Sequence, residues 1–147
     1  MRMENEIARE SAGNYNIKTG RGGMVDVEFI VQYLLLKYGH ATPEIRSKST
    51  LITLKSIRTV GIMSETDCET LLTGYKFLRR LENRLRIVHD NSINDLGGTQ
   101  ENLDMLARRL GYDPKLRHPG DALMKEYEKV TEGIRGVYER ILGEQAA

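Results

Sequence analysis

The sequence predicts an all-α fold, an antiparallel bundle of about five to six helices, and three observations predict it. Apolar residues recur at three- and four-residue spacings through most of the chain. Three of those periodic stretches open on Ser or Thr and three close on Gly, the residues that cap helices at either end. No segment sustains period-two alternation bounded by turn signals, so essentially no strand is expected. At 147 residues the chain fits one domain able to bury its own core, and it contains no internal repeat. The expected organisation is a connecting helix and glycine-rich loop over 1–22, then a single helical bundle over 23–147.

The elements follow in order. Residues 2–11 alternate in charge around Ile7 and Ala8 and read as a short exposed helix, or the end of a longer one. A loop rich in Gly, Asn and Thr runs from Gly13 to Gly23. The next helix spans about Met24 to Tyr38 and stops at Gly39, a residue suited to the left-handed turn that ends helices. Val25, Phe29, Val31, Leu34, Leu35 and Tyr38 give it an apolar face so wide that most of the helix should be buried. A connector with Pro43 leads to Ser49, an N-cap for a helix through Val60 that stacks Leu51, Leu54 and Ile57 and closes at Gly61. Ser64-Glu-Thr-Asp67 resembles a capping box with Asp in place of Glu. It opens the longest helix, Glu65 to about His89, with Cys68, Leu71, Leu72, Tyr75, Leu78, Leu81, Leu85 and Val88 in helical register. Asp90 to Gly98 breaks the period. Thr99 caps a short helix to Leu110, closed by Gly111, and a last helix runs from about Asp121 to Leu142.

Composition removes several function classes. Twenty-two basic and 21 acidic residues leave a net charge of +1, so no global field draws nucleic acid or a membrane surface. One cysteine, Cys68, cannot form an intrachain disulfide or a thiolate metal cluster. It lies on an apolar stripe, where a buried inert thiol is expected. No apolar run approaches the length of a membrane span, and the charged N-terminus is no signal peptide. A cytoplasmic protein is expected. His40, His89 and His118 show no ligand spacing.

Two groups of residues are candidates for function. Gly20-Arg-Gly-Gly23 precedes a helix, and glycines there can leave backbone N–H groups open to an anion. The segment lacks the Gly-Lys-Ser/Thr ending of a P-loop, and no strand precedes it as a dinucleotide fingerprint requires. The other reading is a tight loop whose glycines let the chain approach a neighbouring helix. Asp26 and Glu28 form a possible carboxylate pair, yet residues two apart on a helix diverge because each step turns about 100°. Asp26 then caps or complements the helix N-terminus, and Glu28, set in an apolar helix, needs a partner such as a nearby Arg. The second group is the basic run Lys76, Arg79, Arg80, Arg84 and Arg86. Lys76, Arg80 and Arg84 share one face that suits phosphates or an acidic protein surface, or else remains a solvated face paired with Glu82.

The run Ile17-Lys-Thr-Gly-Arg-Gly-Gly-Met-Val-Asp-Val-Glu-Phe-Ile-Val-Gln-Tyr-Leu34 closely resembles a signature of the bifunctional glutamine synthetase adenylyltransferase/adenylyl-removing enzymes. Tyr75-Lys-Phe-Leu-Arg-Arg-Leu-Glu-Asn-Arg-Leu85 is similar to that family's long helix. With the spacing between them, the resemblance covers most of the chain. A related Gly-Gly-x-x-Asp loop occurs in the uridylyltransferases that modify the PII signalling protein. The resemblance implies the helical, domain-2-like substrate-binding domain that follows a nucleotidyltransferase domain, with 1–22 holding a truncated connecting helix. It implies that the intact enzyme transfers AMP from ATP to a tyrosine of glutamine synthetase, or removes it by phosphorolysis, with magnesium held by carboxylates on strands. No such apparatus is expected here, so no residue is assigned a catalytic or metal-binding role and this chain alone is expected to be inactive.

The resemblance assigns contact roles with nucleotide or with the partner domain. Gly20, Gly22 and Gly23 shape the loop, Lys18 and Arg21 approach phosphates, and Asp26 and Glu28 orient them or brace the interface. The expected partners are the nucleotidyltransferase domain, glutamine synthetase and the PII protein, and ATP and magnesium belong to the intact enzyme. The tail Gly143 to Ala147 leans toward the C-terminal, adenylylating half. A stand-alone helical interaction module is the reading from a different class.

Overall fold

The computed structural model describes residues 14–89, 95–97 and 99–143. The helix expected over 2–11, part of the break after His89 and the last four residues of the tail lie outside them. Among the described residues the fold is an all-α bundle of five helices, as the periodicity predicts. These are α1 (Met24–Tyr38), α2 (Thr50–Val60), α3 (Glu65–His89), α4 (Gln100–Arg109) and α5 (Pro119–Tyr138). A 3-10 turn, Pro43–Ile45, sits in the connector, and a π-helical turn, Glu139–Gly143, continues α5.

Capping residues set most boundaries where the sequence places them. The Ser49 hydroxyl accepts from the Ile52 amide and the Thr99 hydroxyl from the Asn102 amide, each satisfying one orphan donor of a first turn. Gly61 ends α2 with φ +79°, and its amide and that of Ile62 both return to the Ile57 carbonyl. The Ser64 hydroxyl accepts from the Asp67 amide, but the Asp67 carboxylate goes to Arg140, 2.9 Å away, so only half of the capping box forms.

Four expectations are corrected. Gly39 follows α1 in right-handed helical geometry (φ −63°, ψ −27°), not in a left-handed turn. The last helix begins at Pro119, two residues early, because proline's missing N–H and fixed φ suit the first helical position. Val25 and Phe29 are 39% and 56% exposed; α1 turns Met24, Val27, Ile30, Val31 and Leu34 inward instead. A minimal antiparallel ladder also exists, β1 (Asn14–Asn16) against β2 (Asp95–Gly97), with Tyr15 opposite Leu96. Three residues a side are too few for alternation to register in the sequence.

α5 is the packing hub, laid against α4, α3 and α1. Leu54 and Ile57 of α2, Leu71, Leu78 and Leu81 of α3, and Leu123 and Ile134 of α5 are wholly buried. Ile17 and Ile45 plug this core from the loops. No helix among the described residues is long and apolar enough to cross a membrane.

Candidate functional site

The loop before α1 is folded onto itself. The Asn16 side-chain oxygen accepts from the amides of Lys18 and Thr19, and the Asn16 carbonyl from Gly20. The Gly23 amide donates to the Gly20 carbonyl, Met24 to Ile17 and Val25 to Lys18, all at 2.9–3.0 Å. The first donors of α1 are thereby paired with loop carbonyls. The remaining one that matters, on Gly22, donates to Asp26 Oδ2 at 2.7 Å. The glycines serve close approach: Gly22 has φ +74°, and a Cβ there would stand 2.1 Å from the Thr131 carbonyl oxygen of α5. These amides point into the protein's own loop, so the arrangement is the tight loop against a neighbouring helix and offers no phosphate cradle.

Asp26 and Glu28 diverge, as the 100° step requires. Asp26 turns to α5, where Arg135 Nη1 lies 3.1 Å from its Oδ2. Arg135 also meets Glu139 at 3.2 Å and lies 4.2 Å from the Tyr138 ring centroid. Glu28 turns to α3, where it accepts a 2.7 Å hydrogen bond from the Tyr75 hydroxyl, not a bond from an Arg. Burial, and then that bond to a carboxylate, push the Tyr75 hydroxyl up to about 12. Lys18 Nζ is 3.6 Å from Glu82 Oε2, and Arg86 reaches the same oxygen at 3.4 Å. Arg21 binds Glu132 of α5 at 2.7 Å. The two segments that carry the family resemblance thus meet across α1 and α3, through Glu28–Tyr75 and Lys18–Glu82.

The basic face separates. Arg80 donates to the Leu110 carbonyl and so closes the end of α4, while Lys76 and Arg84 remain exposed on α3. Glu82 is 8% exposed and is shared by Lys18 and by Arg86 one turn along α3, so the short-range pairing with the basic run forms, at a buried carboxylate and not on a solvated face. Cys68 is buried, and burial pushes its thiol up to about 11, an inert group as its stripe position predicts.

Reading the sequence missed Arg135 and Tyr75 as partners of the motif, because they lie 109 and 47 residues away. It also missed Asp104, 6% exposed, which accepts from the Gly120 amide and Gln100 and lies 3.0 Å from His118 Nδ1. An acid between Leu103 and Leu106 on an amphipathic helix was its signal. Among the described residues no group of three or more His, Cys, Asp or Glu is placed to hold a metal ion. Asp26, Glu28 and Glu82 each have protein partners instead. The residues present do not fit a magnesium–nucleotide site. The arrangement braces helices.

Fold and motif pairing together define an all-α bundle whose two sequence motifs are joined across α1 and α3. The chain belongs to the family described as GlnD PII-uridylyltransferase, whose sequence model matches residues 1–142. It is also 35% identical over 111 residues to the bifunctional glutamine synthetase adenylyltransferase/adenylyl-removing enzyme of Neisseria meningitidis serogroup A / serotype 4A. That match covers 76% of this chain and 12% of the relative's length.

Proposed function

We propose that this chain acts as the helical domain of a glutamine synthetase adenylyltransferase. It packs on a nucleotidyltransferase domain and helps form the cleft for nucleotide or protein substrate. The whole enzyme transfers AMP from ATP to a tyrosine of glutamine synthetase, or removes it by phosphorolysis, and so adjusts nitrogen assimilation in the cytoplasm. ATP and magnesium are held by the catalytic domain. The observation that carries this reading is the pairing of the two family segments through Glu28–Tyr75 and Lys18–Glu82. Here Gly22 seats the loop on α5, Gly20 and Gly23 let the loop fold on itself, Asp26 and Glu28 brace α1 from two sides, and Lys18 and Arg21 stand at the rim of the cleft. Lys18 is half exposed there. Lys76 and Arg84 give α3 a second basic surface for an acidic protein partner.

A second reading, the helical domain of a PII uridylyltransferase, is favoured by the family model that matches residues 1–142. The two are separated by adding this chain to the nucleotidyltransferase domain of its parent polypeptide, with glutamine synthetase and PII protein as acceptors. Labelled AMP on glutamine synthetase, with no UMP on PII, is the expected result. UMP on PII with unlabelled glutamine synthetase would select the second reading.

A further inference from the structure

We propose that the outer face of α1, carrying Val25, Phe29 and Leu36, is the surface on which the nucleotidyltransferase domain docks; this rests on the domain-packing reading above. The three side chains are 39%, 56% and 84% exposed. At 100° per residue they fall within one narrow stripe, with Gln32 between them, on the side opposite Val27, Ile30, Val31 and Leu34. α1 is largely apolar on its outer stripe as well as its inner face, a pattern expected of a helix covered on both sides, and the described residues cover only the inner one.

The outer face is also ordered in advance. Phe29 rests against Tyr138, ring centroids 6.3 Å apart, and Tyr138 carries Arg135, itself fixed by Asp26 and Glu139. Lys37 and the Asp26–Arg135–Glu139 group give the apolar stripe a charged rim. An apolar centre with a polar rim and pre-set aromatic anchors is the anatomy of a protein interface.

Size selects the occupant. A stripe of three side chains on one helix offers a few hundred Å², well short of the roughly 800 Å² per partner of a stable complex between free proteins. A second copy of this chain is therefore disfavoured. A domain joined to this one in a single polypeptide needs less area, because tethering raises its effective concentration to the order of millimolar. In the Neisseria relative, the portion matched here is 12% of the protein, which leaves ample further chain for such a neighbour.

The test titrates the separately produced nucleotidyltransferase domain of the parent polypeptide, up to the order of millimolar that tethering supplies, into this chain labelled with nitrogen-15, and maps the amide shifts. The wild-type chain is compared with Leu36→Glu and with Ile52→Glu, a control at an apolar residue that is 56% exposed on α2. Both variants are first checked for an unchanged spectrum of the core. The expected result is shifts centred on residues 25–36, with binding weakened about tenfold or more by Leu36→Glu and left within about twofold by Ile52→Glu. Binding that survives Leu36→Glu and maps to Lys76–Arg84 would overturn this face while leaving the domain-packing reading intact. Absence of any binding would overturn both. Self-association of the free chain that Leu36→Glu abolishes would overturn the proposal in favour of a second copy.

Discussion

Gly22 and Gly61 both hold positive φ, but only Gly22 also lacks room for a side chain: its missing Cβ would lie 2.1 Å from a backbone oxygen, whereas at Gly61 nothing lies within 4 Å. Two costs that usually travel together are thus separable in this protein. Gly61→Ala carries the left-handed backbone cost alone, about 1 kcal/mol. Gly22→Ala adds displacement of the loop from α5 and should reach about 3 kcal/mol. Urea unfolding of the two variants checks this, and equal losses would mean that the loop yields freely. Asp104 gives a second prediction at this scale. Its bond with His118, aided by Gln100 and the Gly120 amide, outweighs burial and holds its carboxyl down at about 2, against 3.8 ordinarily. A depressed carboxyl stabilises the fold fully above its unfolded value and ceases to as pH falls from there through about 2. Asp104→Asn should therefore flatten the decline of melting temperature between pH 4 and pH 2. A decline as steep as wild type would show that other carboxylates govern it.

The junction of α1 with α3 includes the hydrogen bond from the Tyr75 hydroxyl to Glu28. Tyr75→Phe should cost about 1–2 kcal/mol, as expected for a bond to a charged acceptor. A double-mutant cycle with Glu28→Gln should return a coupling of about 1 kcal/mol; additive losses would deny the pairing. Because the Tyr75 hydroxyl is raised to about 12, its contribution is complete below pH 10 and lost as pH rises through that value. Tyr75→Phe should remove that part of the alkaline loss. Much of this scale was legible in the sequence. Ser49, Thr99 and Gly61 marked helix ends because capping is local chemistry, and the divergence of Asp26 and Glu28 followed from helical pitch alone. What could not be read were the partners. Arg135 and Tyr75 reach the motif only through tertiary packing, and a basic residue looked the better match for Glu28 than a tyrosine. The exposure of Phe29 was hidden for a related reason, since an apolar residue reads alike whether its own domain or another covers it.

At the scale of the molecule, the glycine-rich loop is bound chiefly to the protein itself, with Lys18 and Thr19 left exposed. Its amides go to its own carbonyls and side chains, Gly22 admits α5, and its carboxylates anchor α1 to two neighbouring helices. The fold class and the family were carried by periodicity and by two motifs. The role of those motifs was not, because a glycine loop before a helix reads equally as an anion site or a packing device until the hydrogen bonds are seen. On the proposed function, this is a bracing domain whose chemistry resides in a partner domain. Its most direct test is to incubate the 147-residue chain alone with ATP, magnesium and glutamine synthetase and to measure AMP transfer. The account predicts no transfer above the protein-free control, and appreciable turnover by the isolated chain would contradict it.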